Sequence, residues 1–215
     1  MEKYEYGKSE TSIVLIQMVD GHDLEQIENE VALIRDQTSE DFRFIALRTN
    51  NWNRDLSPWK APAVFGKEGF GGGAEDTLNE VLKLCSDKSK TYYIGGYSLA
   101  GLFALWAAFQ TDIFQGIAAA SPSIWFPGFV DYMKEHEIGS DIVYLSLGDK
   151  EERARNPVMA TVGDKMREAY RWMEERDIKC TLEWNPGNHF KDVELRMAKA
   201  FAWVVKSPPP FDGMT

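Results

Sequence analysis

One serine in this chain has surroundings that suit nucleophilic chemistry. Ser98 lies in Ile94-Gly95-Gly96-Tyr97-Ser98-Leu99-Ala100-Gly101, where a strand-like run turns through small residues into a helix-like one. The spacing G-x-S-x-A between a strand and a helix is the setting of a nucleophile elbow, in which a strained turn lifts the hydroxyl above a sheet. Small residues are needed there because helix and strand approach within contact distance; an ordinary small-residue turn is the competing reading. A serine hydroxyl is a weak nucleophile until a base takes its proton. The chain offers three histidines, and in elbows of this kind the partners follow in the order serine, acid, histidine. That order sets His22 aside as the base. His136, in Lys134-Glu135-His136-Glu137, reads as a solvated surface residue. His189, in Trp184-Asn185-Pro186-Gly187-Asn188-His189-Phe190, falls between the last strand and the last helix, where an imidazole can reach the elbow.

An acid is expected after the strand that precedes Gly148-Asp149-Lys150-Glu151-Glu152, a run with three carboxylates. Such an acid orients the imidazole and stabilises its positive charge, so it must be partly shielded. Glu151 is favoured and Asp149 is the alternative; either one read singly could be a solvated loop charge.

These loops need a scaffold that gathers them. Apolar runs of strand length occur at Ser12–Val19, Phe42–Leu47, Thr91–Gly95, Gly116–Ala120, Ile142–Leu147 and Lys179–Trp184. Helical spacing occurs at Glu25–Ile34, Asp76–Leu84, Leu99–Gln110, Met159–Arg176 and Val193–Val205. The alternation predicts an α/β fold, a mostly parallel sheet of about six strands with helices on both faces, its reactive groups at the carboxyl ends of the strands. Residues 1–215 are expected to form one domain, with Ser207-Pro208-Pro209-Pro210 ending the last helix and 207–215 an extended tail.

Composition narrows the chemistry. A formal charge of −10 and a pI near 4.9 disfavour nucleic acid and anionic membranes as partners. Two isolated cysteines, Cys85 and Cys180, make neither a disulfide framework nor a zinc pattern and are expected to be buried thiols. The glycines of Gly69–Gly73 lack the strand and Lys-Ser/Thr context of a phosphate loop. The opening MEKYEYGKSETS has no signal-like apolar run and no later run is long enough to cross a bilayer, so a cytoplasmic protein is expected.

With the elbow, the acid loop and the histidine loop in place, the chain resembles the α/β-hydrolase superfamily. More narrowly it resembles the esterase family that includes enterochelin esterases, feruloyl esterases, mycolyltransferases and S-formylglutathione hydrolase. The likeness covers most of the chain. It rests on Val19-Asp20-Gly21-His22, Asn53-Arg54-Asp55-Leu56-Ser57-Pro58, Gly71-Gly72-Gly73-Ala74-Glu75, the elbow, Ser121-Pro122-Ser123-Ile124-Trp125, Gly148-Asp149-Lys150-Glu151 and Gly187-Asn188-His189. It implies a short form of the α/β-hydrolase fold lacking the first strands. By position it implies Ser98 as nucleophile, His189 as base and Glu151 as acid. It further implies an oxyanion hole made by the backbone N–H groups of Leu99 and His22.

The expected function is a serine carboxylic-ester hydrolase that works through an acyl-enzyme on a soluble, small or medium ester, with neither metal nor organic cofactor. Trp52 and Trp125 are expected on the rim of the site, and Arg54-Asp55 reads as a structural ion pair. The segment from Ser121 to Ser140 is too short for a large lid, which predicts an open site. An acyltransferase or thioesterase using the same residues, and a non-catalytic binding protein of the same fold, are the alternatives.

Overall fold

A computed structural model describes residues 1–207. In chain order the elements are β1 (Glu2–Tyr6), β2 (Ile13–Val19), α1 (Gly21–Gln37), β3 (Phe42–Arg48), α2 (Trp52–Asp55), β4 (Lys60–Ala61), β5 (Phe70–Gly71) and α3 (Ala74–Leu82). They continue with β6 (Thr91–Tyr97), α4 (Leu99–Ala107), β7 (Phe114–Ala120), α5 (Phe129–Glu135), β8 (Ile142–Gly148), α6 (Val162–Glu174), β9 (Lys179–Asn185) and α7 (Val193–Lys206). Two short 3-10 turns, Glu151–Arg153 and Met159–Thr161, lie between β8 and α6.

Seven strands form one sheet in the order β1-β3-β2-β6-β7-β8-β9. Every neighbouring pair is parallel except β1 with β3. The parallel strands are apolar on both sides because helices cover both sides. Leu15 and Phe44 point into a core shared with α1 and α7, whereas Ile16 and Ile45 point into the opposite core, shared with α3, α4, α5 and α6. Helix α4 runs behind the central strand β6 and is buried along its whole length, Leu99 to Ala107. Its apolar sequence has no polar face to offer water.

The sequence reading expects about six strands; the sheet has a seventh, β1. Its residues are mostly exposed, so no apolar run marks it, and main-chain pairing with β3 holds it in place. Glu5 pairs with Arg43 at 2.7 Å and Glu2 with Arg48 at 3.1 Å across that pair of strands. Helix α1 starts earlier than its periodicity predicts, at Gly21, because Asp20 caps it through hydrogen bonds from His22 and Asp23. The segment between β3 and α3 holds α2 and the small β4–β5 hairpin. There Arg54 pairs with Asp55 at 2.8 Å, as read. Cys85 is buried, but Cys180, on the edge strand β9, is only half-buried. Helix α7 ends at Lys206 with Ser207 as its cap; the expected tail at 208–215 lies outside the described residues. Among the described residues no helix is long and apolar enough to cross a membrane.

The α7 side of the core hinges on Phe201, which is fully buried and meets Phe44 edge-on at 5.7 Å. Phe201→Ala is expected to cost about 3–5 kcal/mol of stability, measured as a lower urea midpoint with an unchanged slope.

Candidate active site

The carboxyl ends of β6, β7, β8 and β9 bring together groups that are far apart in the chain. Ser98 follows β6 with φ 58° and ψ −121°, outside the regions that L-residues favour. The cost of that conformation is met by tight packing on either side. A Cβ added at Gly96 would stand 2.5 Å from the Ala100 carbonyl carbon, and one at Gly101 would stand 2.8 Å from the Gly96 oxygen. Strand and helix therefore touch backbone to backbone at this turn, which explains the small residues around the serine.

His189 Nε2 lies 3.0 Å from Ser98 Oγ, and His189 Nδ1 lies 2.7 Å from Glu151 Oε2. Both contacts are of hydrogen-bond length. With Nδ1–H donating to Glu151, Nε2 presents its lone pair to the serine hydroxyl. Ser98 Oγ also lies 3.4 Å from Ser123 Oγ. Glu151 is buried, and its second oxygen, Oε1, accepts from Ser121 Oγ at 2.7 Å, Gly148 N at 2.7 Å and Arg196 Nη1 at 3.1 Å. Burial pushes the Glu151 carboxyl up, but hydrogen bonds from His189, Ser121 and Gly148, with the charge of His189, outweigh it and hold the group below its ordinary value. The shielding expected of a triad acid is thus found at Glu151.

Asp149, the alternative acid, does other work: it is exposed, and its Oδ1 accepts from Gly187 N at 2.8 Å, tying the acid loop to the histidine loop. His136 is exposed and stacks on Tyr132. The His22 side chain is exposed too, and its backbone N–H is not free to receive an oxyanion. It donates to Asp20 Oδ1 at 2.7 Å as part of the α1 cap. That bond leaves the expectation of His22 as an oxyanion donor without support: the same turn that brings the amide near the site also starts a helix, and the N–H is engaged by the cap. Leu99 is the first residue of α4, whose cap residue Ser98 accepts no side-chain hydrogen bond from the helix backbone, and first-turn N–H groups have no partner within their own helix.

Trp52 and Trp125 both line a cavity of about 640 Å³ that opens onto Ser98 and His189. Phe65, Met159 and Val162 complete an apolar wall, and Lys150 and Arg153 add the cationic part of the lining. The segment after Ser121 packs inward, with Ile124, Phe126 and Phe129 fully buried. Phe65 of the β4–β5 hairpin loop packs edge-on against Trp125 at 6.0 Å and, with Met159 from the turn before α6, adds to the lining.

Arg196 is the residue that sequence reasoning missed. It sits on α7 at 1% exposure, and Nη1 also donates to Tyr97 Oη at 2.9 Å and Ser121 Oγ at 3.3 Å. Its Nη2 donates to the carbonyls of Pro186 and Asn188, and Tyr97 Oη donates to the His189 carbonyl at 2.8 Å. Nothing in Val193–Val205 singles out this arginine from other helical cations; only its burial does.

No protein-family model matches the chain, and no curated protein matches it either. Solved structures do. An IroE-like serine hydrolase from Shewanella oneidensis superposes with a TM-score of 0.74 at 15% identity, over 94% of this chain and 74% of that one. A Bacillus cereus carboxylesterase gives a TM-score of 0.63 at 14% identity, over 96% and 94%. The siderophore hydrolase EstA from Aspergillus nidulans gives 0.58 at 19%, over 94% and 85%. The chain has the α/β-hydrolase fold.

Glu151→Gln keeps the shape of the acid but favours the wrong imidazole tautomer. It is expected to slow fluorophosphonate labelling of Ser98 by on the order of 10⁴-fold, whereas Asp149→Asn leaves labelling within about tenfold of wild type. Because the folded-state value of Glu151 is lowered, its stabilisation is complete above the ordinary carboxyl value of 4.5 and is lost as pH falls through the lower folded value. The stability gap between wild type and Glu151→Gln should therefore close on acidification below 4.5, as followed by urea denaturation.

Proposed function

We propose that this chain is a serine carboxylic-ester hydrolase acting on a small or medium ester. The observation that carries the reading is the run of hydrogen-bond contacts from Ser98 Oγ through His189 to the buried Glu151, set on a strained elbow. The superposed structures, a serine hydrolase, a carboxylesterase and a siderophore hydrolase, lend it support.

In this reading Ser98 Oγ attacks the ester carbonyl carbon while His189 Nε2 takes the hydroxyl proton. The carbonyl π electrons move to oxygen, and the Leu99 N–H stabilises that developing charge. Glu151 keeps its proton-free form and stabilises the imidazolium through Nδ1–H. Collapse of the tetrahedral intermediate breaks the ester C–O bond, and His189 returns its proton to the departing alcohol. A water molecule, deprotonated by the same nitrogen, then attacks the acyl-serine; the bond from the acyl carbon to Ser98 Oγ breaks, His189 returns the proton to that oxygen, and the acid is released. The cavity lined by Trp52, Trp125 and Phe65 accommodates an apolar or aromatic portion of the substrate. All residues used here come from the chain itself, and the scheme runs without metal or organic cofactor.

Purified protein is expected to hydrolyse short p-nitrophenyl esters and to be labelled by a fluorophosphonate at Ser98, with peptide mapping to locate the adduct. Ser98→Ala should lose the adduct and several orders of magnitude in kcat. Absence of both turnover and labelling in the wild type would sink the reading.

A further inference from the structure

A second cavity, of about 270 Å³, meets the aromatic one at Ser98 and His189, which line both. Its character is opposite. Asp20 and Asp23 at the start of α1, Glu30 in its middle and Glu194 on α7 line it, and among the described residues no lysine or arginine does.

Acidic groups alone prove little, because surface carboxylates are content in water. Glu30 is different. It is only 4% exposed, its Oε2 receives one long hydrogen bond of 3.4 Å from Gln17 Nε2, and its Oε1 has no partner. Gln17 Oε1, alongside, has none either. A buried carboxyl with an unpartnered oxygen destabilises a fold. Burial pushes Glu30 well above the ordinary carboxyl range, and the charges of Asp23 and Glu194 add to the rise. Burial likewise pushes Asp23 up to about 6. The cavity thus holds one buried carboxyl without a close partner, Glu30, beside the more accessible Asp20, Asp23 and Glu194, with the imidazoles of His22 and His189 as the only basic side chains in its lining among the described residues. Among the described residues no three acidic, histidine or cysteine side chains are grouped to hold a metal ion.

A protonated amine supplies what is missing. It is positively charged, it offers three N–H donors to oxygens that have no partner, and an aminoalkyl chain is of a size to fit such a cavity. We propose that this cavity is a subsite for an ammonium group carried by the ester, whose remaining portion occupies the aromatic cavity on the other side of Ser98. The inference rests on the ester-hydrolase reading and adds the charge of the substrate to it. Binding of the cation gives Glu30 the partner that it lacks in the empty protein.

Two pairs of esters of matched length test this. One compares an aminoalkyl benzoate with the alkyl benzoate, and the other compares the phenyl ester of an amino acid of similar chain length with that of the plain fatty acid. In at least one pair kcat/KM is expected to favour the cationic ester by about tenfold or more, and the preference should fall towards one in Glu30→Gln combined with Asp23→Asn. Ratios at or below one in both pairs overturn the subsite even if the neutral esters are turned over. Should no ester be turned over and no fluorophosphonate react, the hydrolase reading fails, and saturation-transfer NMR with butylammonium then decides the subsite by itself. A signal that depends on Glu30 sustains it, and no signal overturns it. Glu30→Gln should also raise Tm by about 2–4 °C, since the new amide can donate to Gln17 Oε1; a fall in Tm would mark Glu30 as a structural residue and count against the proposal.

Discussion

The guanidinium of Arg196 is enclosed by protein, and its surroundings are organised to answer it. At 1% exposure it is shut away from water, and its Nη1 and Nη2 groups find oxygen in four different places: Glu151, Ser121, Tyr97 and the carbonyls of the 186–188 turn. Those places are the ends of β6, β7, β8 and β9. A buried cation with one acidic partner is an expensive arrangement, and one that loses its partner is far worse. The loops that carry Glu151 and His189 are therefore fixed in relation to each other by the requirement to neutralise this ion. A planar fork with donors in set directions does this better than a lysine could.

Two serines at neighbouring strand ends are held in backbone conformations that L-residues avoid, Ser98 at φ 58° and Ser121 at φ 43°. The parallel sheet makes both tolerable. Ser98 N donates to the Ala120 carbonyl and Ser121 N to the Ser146 carbonyl, so each turn is bonded to the end of the next strand along. Strain in one loop is shared with its neighbour, which is how a site built from loops acquires the rigidity of the sheet beneath it.

Much of this was legible in the sequence, for a physical reason. The parallel strands are buried on both faces, so they appear as apolar runs, and the turn at Ser98 needs small residues for contact distances that no larger side chain permits. Ser98, His189 and Glu151 could be singled out because each follows such a strand. Arg196 could not, because helical arginines are normally solvated and the network that buries it comes from four separate segments. The engaged amide of His22 was hidden as well: Asp20-Gly21-His22 looks the same whether the aspartate faces solvent or caps α1. Strand β1 lacked any apolar signature, since pairing with β3 needs only its backbone.

That last strand has a consequence for how the molecule behaves in company. An all-parallel sheet that stopped at β3 would expose the unpaired main-chain groups of an apolar strand, a template on which a second molecule could build. β1 covers it and presents outward a short strand bearing Glu2, Lys3 and Glu5, the two glutamates engaged with arginines on the covered strand. At the far side β9 ends the sheet with Lys179 and Glu183. Charged borders of this kind discourage strand-to-strand addition, so both margins of the sheet work against lateral growth while its strand ends carry the site.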